Sequence, residues 1–195
     1  MAEETVKKGI RIGLRDLHYA LVLADTSEGT TYGAPKKIAG AITMKITPNT
    51  STDKHYSDDA LSEIATGLGD IAVEFGADDL PLPVQADLLG HTLGEDGVLI
   101  ENKDDVAPYV AIGFRSIKSN KKFRYIWLYK GKFEIPEEDY ETKKESTEFK
   151  TPTIKGTFMP RESDGAWQAK GDEDETGFTA GATWFNSVYE KPATS

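Results

Sequence analysis

The sequence predicts a mainly β protein, a β-sandwich or open barrel with one short flanking α-helix. Three observations carry that expectation. Apolar and polar residues alternate at period two in several runs, as in Ile42, Met44 and Ile46 against Thr43, Lys45 and Thr47; this is the pattern of a strand with one buried face. About eight such runs stand against one or two helical ones. Only residues 80–90 carry both a helix start and a helix stop.

Taken in order, residues 1–9 are charged and read as a flexible N-terminal arm. Residues 10–14 suit a short strand, 19–24 (YALVLA) a buried one, and 25–35 (DTSEGTTYGAP) a loop. The chain is organised around residues 38–79. They read as an outgoing strand ending at Thr47, a polar return strand over 51–62 with neither Pro nor Gly, and a third strand over 70–75. Ile71, Val73 and Phe75 of the third strand face the core. Apolar residues switch parity between Leu61 and Ile64, which points to a bulge. In the helix, Asp79 is the candidate N-cap, Pro81 and Pro83 lie in the opening turn, and Gly90 is the stop. Val84, Leu88 and Leu89 form its apolar face.

Residues 94–97 read as a turn and 98–101 as a strand. Residues 108–119 and 122–135 form a hairpin across 119–121. Phe123, Tyr125, Trp127, Tyr129, Phe133 and Ile135 share one parity, with Ile126 and Leu128 on the other, so this strand is expected to be covered on both faces. An acidic stretch over 136–148, a strand over 150–159 and a short one over 166–169 follow. Trp184, Phe185, Val188 and Tyr189 would share a helical face. The whole, 1–195, is expected to be one domain, with 162–195 as a C-terminal extension.

Composition narrows the function. At 195 residues the chain is of single-domain size, able to bury about 70% of its unfolded surface without metal or disulfide. It has no cysteine, so thiol redox chemistry and thiolate metal sites are excluded. Its net charge of −10 opposes nonspecific attraction to phosphate backbones or anionic lipid. No apolar run approaches the ~18 residues of a membrane span, and the opening MAEETVKKGIRIGLRDL lacks the apolar centre of a secretion signal.

Local motifs give little support to catalysis. Gly67-Leu-Gly69-Asp-Ile-Ala72 matches G-x-G-x-x-A, but a β-branched run follows where a dinucleotide site needs a helix, so a turn is the better reading. Asp172-Glu-Asp-Glu-Thr-Gly177 resembles the start of a calcium loop but has Thr183 where the closing Glu belongs; it reads as a solvated acidic loop. His18, His55 and His91 lack the spacing of a helical metal pair, and no nucleophile elbow is present. The acid pairs Asp58-Asp59, Asp78-Asp79 and Asp104-Asp105 would point to opposite faces of a strand. Charge patterning is more informative. Lys118, Lys121, Lys122 and Arg124 form a basic cluster, and residues 134–148, including Glu137, Glu138 and Asp139, form an acidic one. Opposite patches on one chain steer head-to-tail interfaces between copies.

Four stretches, in this order and spacing, give a resemblance to a known family: GLRDLHYA at 13–20, KHYSDD at 54–59, LLG at 88–90 and EFKTPTIKG at 148–156. They are similar to the major tail (tail tube) proteins of long-tailed bacteriophages, in particular the phi13-type group. The similarity spans residues 13–161 and is weaker beyond. It implies a β-sandwich with one flanking helix, whose long hairpins join those of neighbours into a β-barrel. Hexameric rings would stack into a hollow virion tail tube for DNA ejection, assembled in the host cytoplasm.

The implied partners are other copies of the chain, the tape measure, tail terminator and distal tail proteins, and DNA in transit without specific binding or a membrane. The family brings no catalytic, cofactor-binding or metal-binding residues. On this reading Ile42 and Met44 join the charged clusters as inter-subunit candidates, and Asp53, Asp59 and Glu63 are lumen-lining candidates. The alternative is a β-sandwich carbohydrate-binding or adhesion module of a virion, which would display Trp or Tyr in a shallow groove.

Overall fold

The computed structural model describes residues 9–38, 40–57, 60–142 and 151–192, with the side chains of residues 53–65 outside that description. The chain is mainly β. Its strands are β1 (Arg11–Thr26), β2 (Gly29–Tyr32), β3 (Lys36–Lys37), β4 (Ala41–Ser57), β5 (Ala60–Ala77), β6 (Thr92–Leu93), β7 (Leu99–Ile100), β8 (Val110–Lys118), β9 (Phe123–Phe133), β10 (Thr153–Phe158) and β11 (Gln168–Asp172). One helix, α1 (Leu82–Leu89), follows β5. A large antiparallel sheet runs β2-β1-β8-β9-β10-β5-β4, with β3 also on β1 and β11 also on β9, while β6 and β7 pair separately. No helix among the described residues is long and apolar enough to cross a membrane.

Several elements are longer than their sequence signals. The two strands expected at 10–14 and 19–24 are one strand, β1. Asp16 takes a left-handed φ of 53°, and the register against β8 slips between Arg15 and His18. Asp tolerates that conformation, so a bulge replaces a break. The supposed loop at 25–35 contains β2, which folds back on β1 with Val22 opposite Tyr32.

The three strands expected over 38–79 are two. Strands β4 and β5 pair from Ala41↔Ala77 to Ser57↔Ala60, with irregularities after Ala41, Pro48 and His55. The outgoing strand therefore runs on to Ser57 instead of ending at Thr47, and Gly67 and Gly69 lie within β5 instead of a turn. Pro48 is compatible because β4 is an edge strand, where a missing N–H breaks no ladder bond.

The helix starts without a side-chain cap: Pro81 occupies the N-cap position, so Asp79 does not fill that role. It stops as expected at Gly90, where a φ of 78° directs the N–H to Ala86 O at 2.9 Å. Val84, Leu88 and Leu89 are buried. The 94–97 turn, the β8–β9 hairpin and β10 lie where the sequence places them, whereas β11 lies slightly later than the expected 166–169.

The sheet has two buried faces. Leu17, Ile71, Val73, Phe75, Ile112, Leu128, Ile154 and Phe158 form the larger core with α1 against it. On the other face Ala20, Ala111, Tyr125, Trp127 and Tyr129 are covered by Trp184 and Val188. Strand β9 is thus buried from both sides through Tyr125–Tyr129, as its two parities require. Close approach limits size as well: a Cβ on Gly131 would sit 2.3 Å from the Phe158 ring.

The C-terminal cover is not the helix expected over Trp184–Tyr189. After a short 3₁₀ turn at Ala180–Ala182 it continues in turns. Trp127 Nε1 donates to Trp184 O at 3.0 Å and Tyr129 OH to Tyr189 O at 2.9 Å. Those carbonyls serve side chains of the sheet instead of a helical ladder. The segment is part of the fold, so Trp184→Ala should destabilise the chain by about 3–5 kcal/mol. Urea unfolding measures it; an unchanged midpoint would separate this segment from the cooperative unit.

Candidate assembly surfaces

The β4–β5 hairpin divides into a rooted part and an arm. Near its root, Ile71, Val73 and Phe75 are buried and Met44 and Ile46 pack on the same core. Thr43, Lys45 and Thr47 occupy the solvent face of β4. Ile42 is 46% exposed. The register shift between Ala41 and Thr43 takes it off the apolar stripe. Beyond Pro48 and Asp70, Thr50, Ser51, Thr52, Thr66, Gly67, Leu68 and Gly69 are all exposed, whichever face they take. No core supports this part. Among the described residues β4 pairs with β5 alone, leaving a row of backbone donors and acceptors open along its outer edge.

Of the lumen candidates, Asp53 and Glu63 lie in the arm, opposite Ala65 and His55 respectively. Their side chains are outside the described ones, and Asp59 lies outside the described residues.

The basic cluster sits differently from its sequence reading. Lys118 is 1% exposed. Its ammonium donates to Asp172 at 2.6 Å and to Asp174 at a still shorter distance. Arg124 Nε donates to Asp172 at 2.7 Å, and Lys122 Nζ lies 3.1 Å from Asp174. Asp174 also accepts from Asn120 and from the Gly9 N–H. Lys121 alone of the four is exposed without such a partner among the described residues; its φ of 65° turns it out of the hairpin.

Among the described residues, the acids that answer Lys118, Lys122 and Arg124 are those of residues 172–174 in the same chain. The supposedly solvated loop is an ionic clasp. It fastens the C-terminal cover to the β8–β9 turn and to the start of β1. Adjacent bonds complete it: Glu173 accepts from the Phe123 N–H and the Tyr125 hydroxyl. The Lys118 ammonium, with help from Lys122, Gly9 and Asn120, holds the Asp174 carboxyl well below the usual range. Burial pushes Asp172 up, but its bonds to Lys118 and Arg124 outweigh this and leave it lowered.

The acidic stretch lies elsewhere. Residues 134–140 leave the far end of β9 and line a cleft of about 680 Å³ with Glu74, Asp79, Gln85 and Lys155. Glu137, Glu138 and Asp139 are exposed, and Glu138 accepts from the Tyr140 hydroxyl at 2.6 Å. Residues 134–140 thus follow the end of β9 opposite the β8–β9 turn that carries the basic cluster.

The histidines fall in structural settings. His18 stacks on Phe185 with ring centroids 4.3 Å apart. His91 is buried with Nδ1 2.7 Å from Asp105, while its Nε2 has no hydrogen-bond partner. His55 lies in β4. Among the described residues no three His, Cys, Asp or Glu side chains are grouped to hold a metal ion.

No protein-family model matches this chain, and no curated protein matches it significantly.

Replacing Lys118 by Met would leave Asp172 and Asp174 without their buried cation, a loss of about 3–5 kcal/mol at neutral pH. Both carboxyls are lowered in the folded protein. Their contribution is therefore present above the unfolded-state value near 4 and is lost as pH falls through the folded one. The deficit of Lys118→Met should shrink on acidification below about pH 4, because protonated acids need no cation. Paired urea titrations at pH 7 and pH 3 check it; an equal deficit at both would contradict the clasp.

Proposed function

We propose that the chain is a noncatalytic structural subunit that polymerises with copies of itself into a hollow tube, the tail tube of a long-tailed bacteriophage. The carrying observation is the β4–β5 arm with its open β4 edge. A two-stranded ribbon without a core is marginal alone, and an open edge invites pairing. Closing such ribbons into a barrel between neighbours removes the edge and supplies the missing contacts. Stacked hexameric rings, the stoichiometry implied by the family resemblance, would give a continuous channel. The net charge of −10 fits a wall along which DNA slides without binding. Tape measure, tail terminator and distal tail proteins would be its partners in the virion.

The carbohydrate-binding alternative has less support. Trp127 and Trp184 are buried, Trp167 packs against the core, and the exposed large aromatics among the described residues are Tyr109 and Tyr140. No described tryptophan forms the open platform that reading needs.

Negative-stain microscopy of the purified chain should show hollow tubes of uniform width; a monomer at every concentration and ionic strength would overturn the proposal. Ile42→Asp should change stability by no more than about 0.5 kcal/mol, because the site is exposed, while reducing tube formation. Sedimentation beside thermal unfolding distinguishes the two effects. Changing Asp59 and Glu63 together to Lys should leave tubes intact and slow DNA release, as phosphates pair with the wall. Release at the wild-type rate would remove these acids from the channel.

A further inference from the structure

With Lys118, Lys122 and Arg124 engaged inside their own chain, the acidic cleft needs another counterpart. Of the exposed cations that remain, Lys45, Lys103, Lys155, Lys170 and Lys191 are spread over the chain, whereas two arginines lie close together at the start of β1. Arg11 and Arg15 are exposed and, among the described residues, their side chains have no hydrogen-bond or ion-pair partner; Lys121 lies on the turn beside them. Ile10 and Ile12, between and before the arginines, are 75% and 66% exposed. This part of β1 pairs with β8 on one side only, because β3 and β2 join it farther along, at His18–Tyr19 and from Val22. It is a basic, apolar edge with open backbone groups.

The cleft has the complementary character. Glu74, Glu134 and Glu137 line it without an ion-pair partner among the described residues, and Ile135 on its wall is 69% exposed. Tyr140 adds an exposed aromatic ring.

The two surfaces cannot meet within one molecule. Arg11 pairs with Lys118 and Ile10 O accepts from the Ser119 N–H, which fixes the basic edge at the β8–β9 turn. Glu134 follows the opposite end of β9, eleven residues away, or roughly 35 Å of strand. Complementary patches at opposite ends of one sheet join copies head to tail, and such contacts propagate unless a ring closes.

We propose that the start of β1, Ile10–Arg15, of one copy docks in the Glu134–Tyr140 cleft of a second copy. The arginines meet Glu134 and Glu137, and Ile10 and Ile12 cover Ile135. The inference rests on reading the chain as a self-assembling subunit and assigns one of its contacts.

The absence of cysteine permits a clean test. The single variants Ile12→Cys and Ile135→Cys are mixed under mild oxidation, and disulfide-linked dimers are resolved by mass. The mixed dimer should exceed both homodimers. It should also exceed the yield from a control mixture using Leu23→Cys, at the other end of β1, in place of Ile12→Cys. Adding Arg11→Glu and Arg15→Glu to the first chain should lower the mixed yield about tenfold at low salt. Adding Glu134→Lys and Glu137→Lys to the second should restore it.

A mixed yield no higher than the control, or one indifferent to charge reversal, would overturn the contact. Tubes without the mixed dimer would leave the tube reading standing and remove this interface. The mixed dimer without tubes would do the reverse.

Discussion

The fold depends on strand β9 being apolar on both faces. Tyr125, Trp127 and Tyr129 point one way, Ile126 and Leu128 the other, and all five are buried. One sheet face can be closed by curling the sheet and laying α1 across it. The second is covered by separate material, which the residues after β10 supply, with Tyr32 of β2 packed beside them. Burying aromatic side chains of this size contributes on the order of 2–3 kcal/mol each. The polar handles Trp127 Nε1 and Tyr129 OH are met by backbone carbonyls of the covering segment. The double burial thus explains why the C-terminal residues lie flat, in turns, with the ionic clasp at one end. At the other end Arg161 stacks on Tyr129 and binds Asp164 and Glu190.

The arm shows the opposite condition. Through Ile71–Phe75 strand β5 shares the larger core, but among the residues past Asp70 whose side chains are described, Thr66 to Gly69 are exposed on both faces. Hydrogen bonds within a ribbon contribute modestly in water, since each replaces bonds to solvent. A body closed on two faces and an arm closed on none therefore sit in one sheet. The body folds on its own contacts, while the described part of the arm takes no such support from the rest of the sheet.

Period-two alternation located most of this architecture because burial imposes it directly, as in β9, β10 and the root of β5. Strand continuity was less legible. At Asp16 and around Pro48 the sequence carries turn-forming residues, yet the backbone absorbs them as irregularities in long strands because pairing continues on both sides. At Trp184–Tyr189 apolar spacing of helical period arose from a non-helical segment whose carbonyls are claimed by the sheet. The charged clusters were legible as clusters but not as pairs. Lys118 lies 54 residues from Asp172, and only the β8–β9–β11 pairing, with Arg124 opposite Asp172, brings them together. The alternation that hides Lys118 from solvent is a signal the sequence does contain: it continues the buried parity of Ile112, Phe114 and Ser116 in β8.

That pairing also changes what the net charge means. Lys118 and Lys130 are neutralised inside the body by Asp172, Asp174 and Asp25, and buried Arg161 is paired with the half-exposed Asp164 and Glu190. Interior ion pairs of this kind add little to the distant field, so the surface potential is set by what remains outside. Exposed acids then dominate most of the surface, with unpaired arginines confined to the start of β1. Copies of such a molecule carry the same net charge, and the proposed docking would align the basic edge of one with an acidic region of the next. Like-charge repulsion over the body discourages disordered aggregation through the open β4 edge, while a local cluster of opposite sign favours one direction of approach. Salt acts on both effects within a Debye length of about 10 Å. Orientational selectivity is therefore greatest at low ionic strength, where the close, locally attractive contact competes against the strongest body-to-body repulsion.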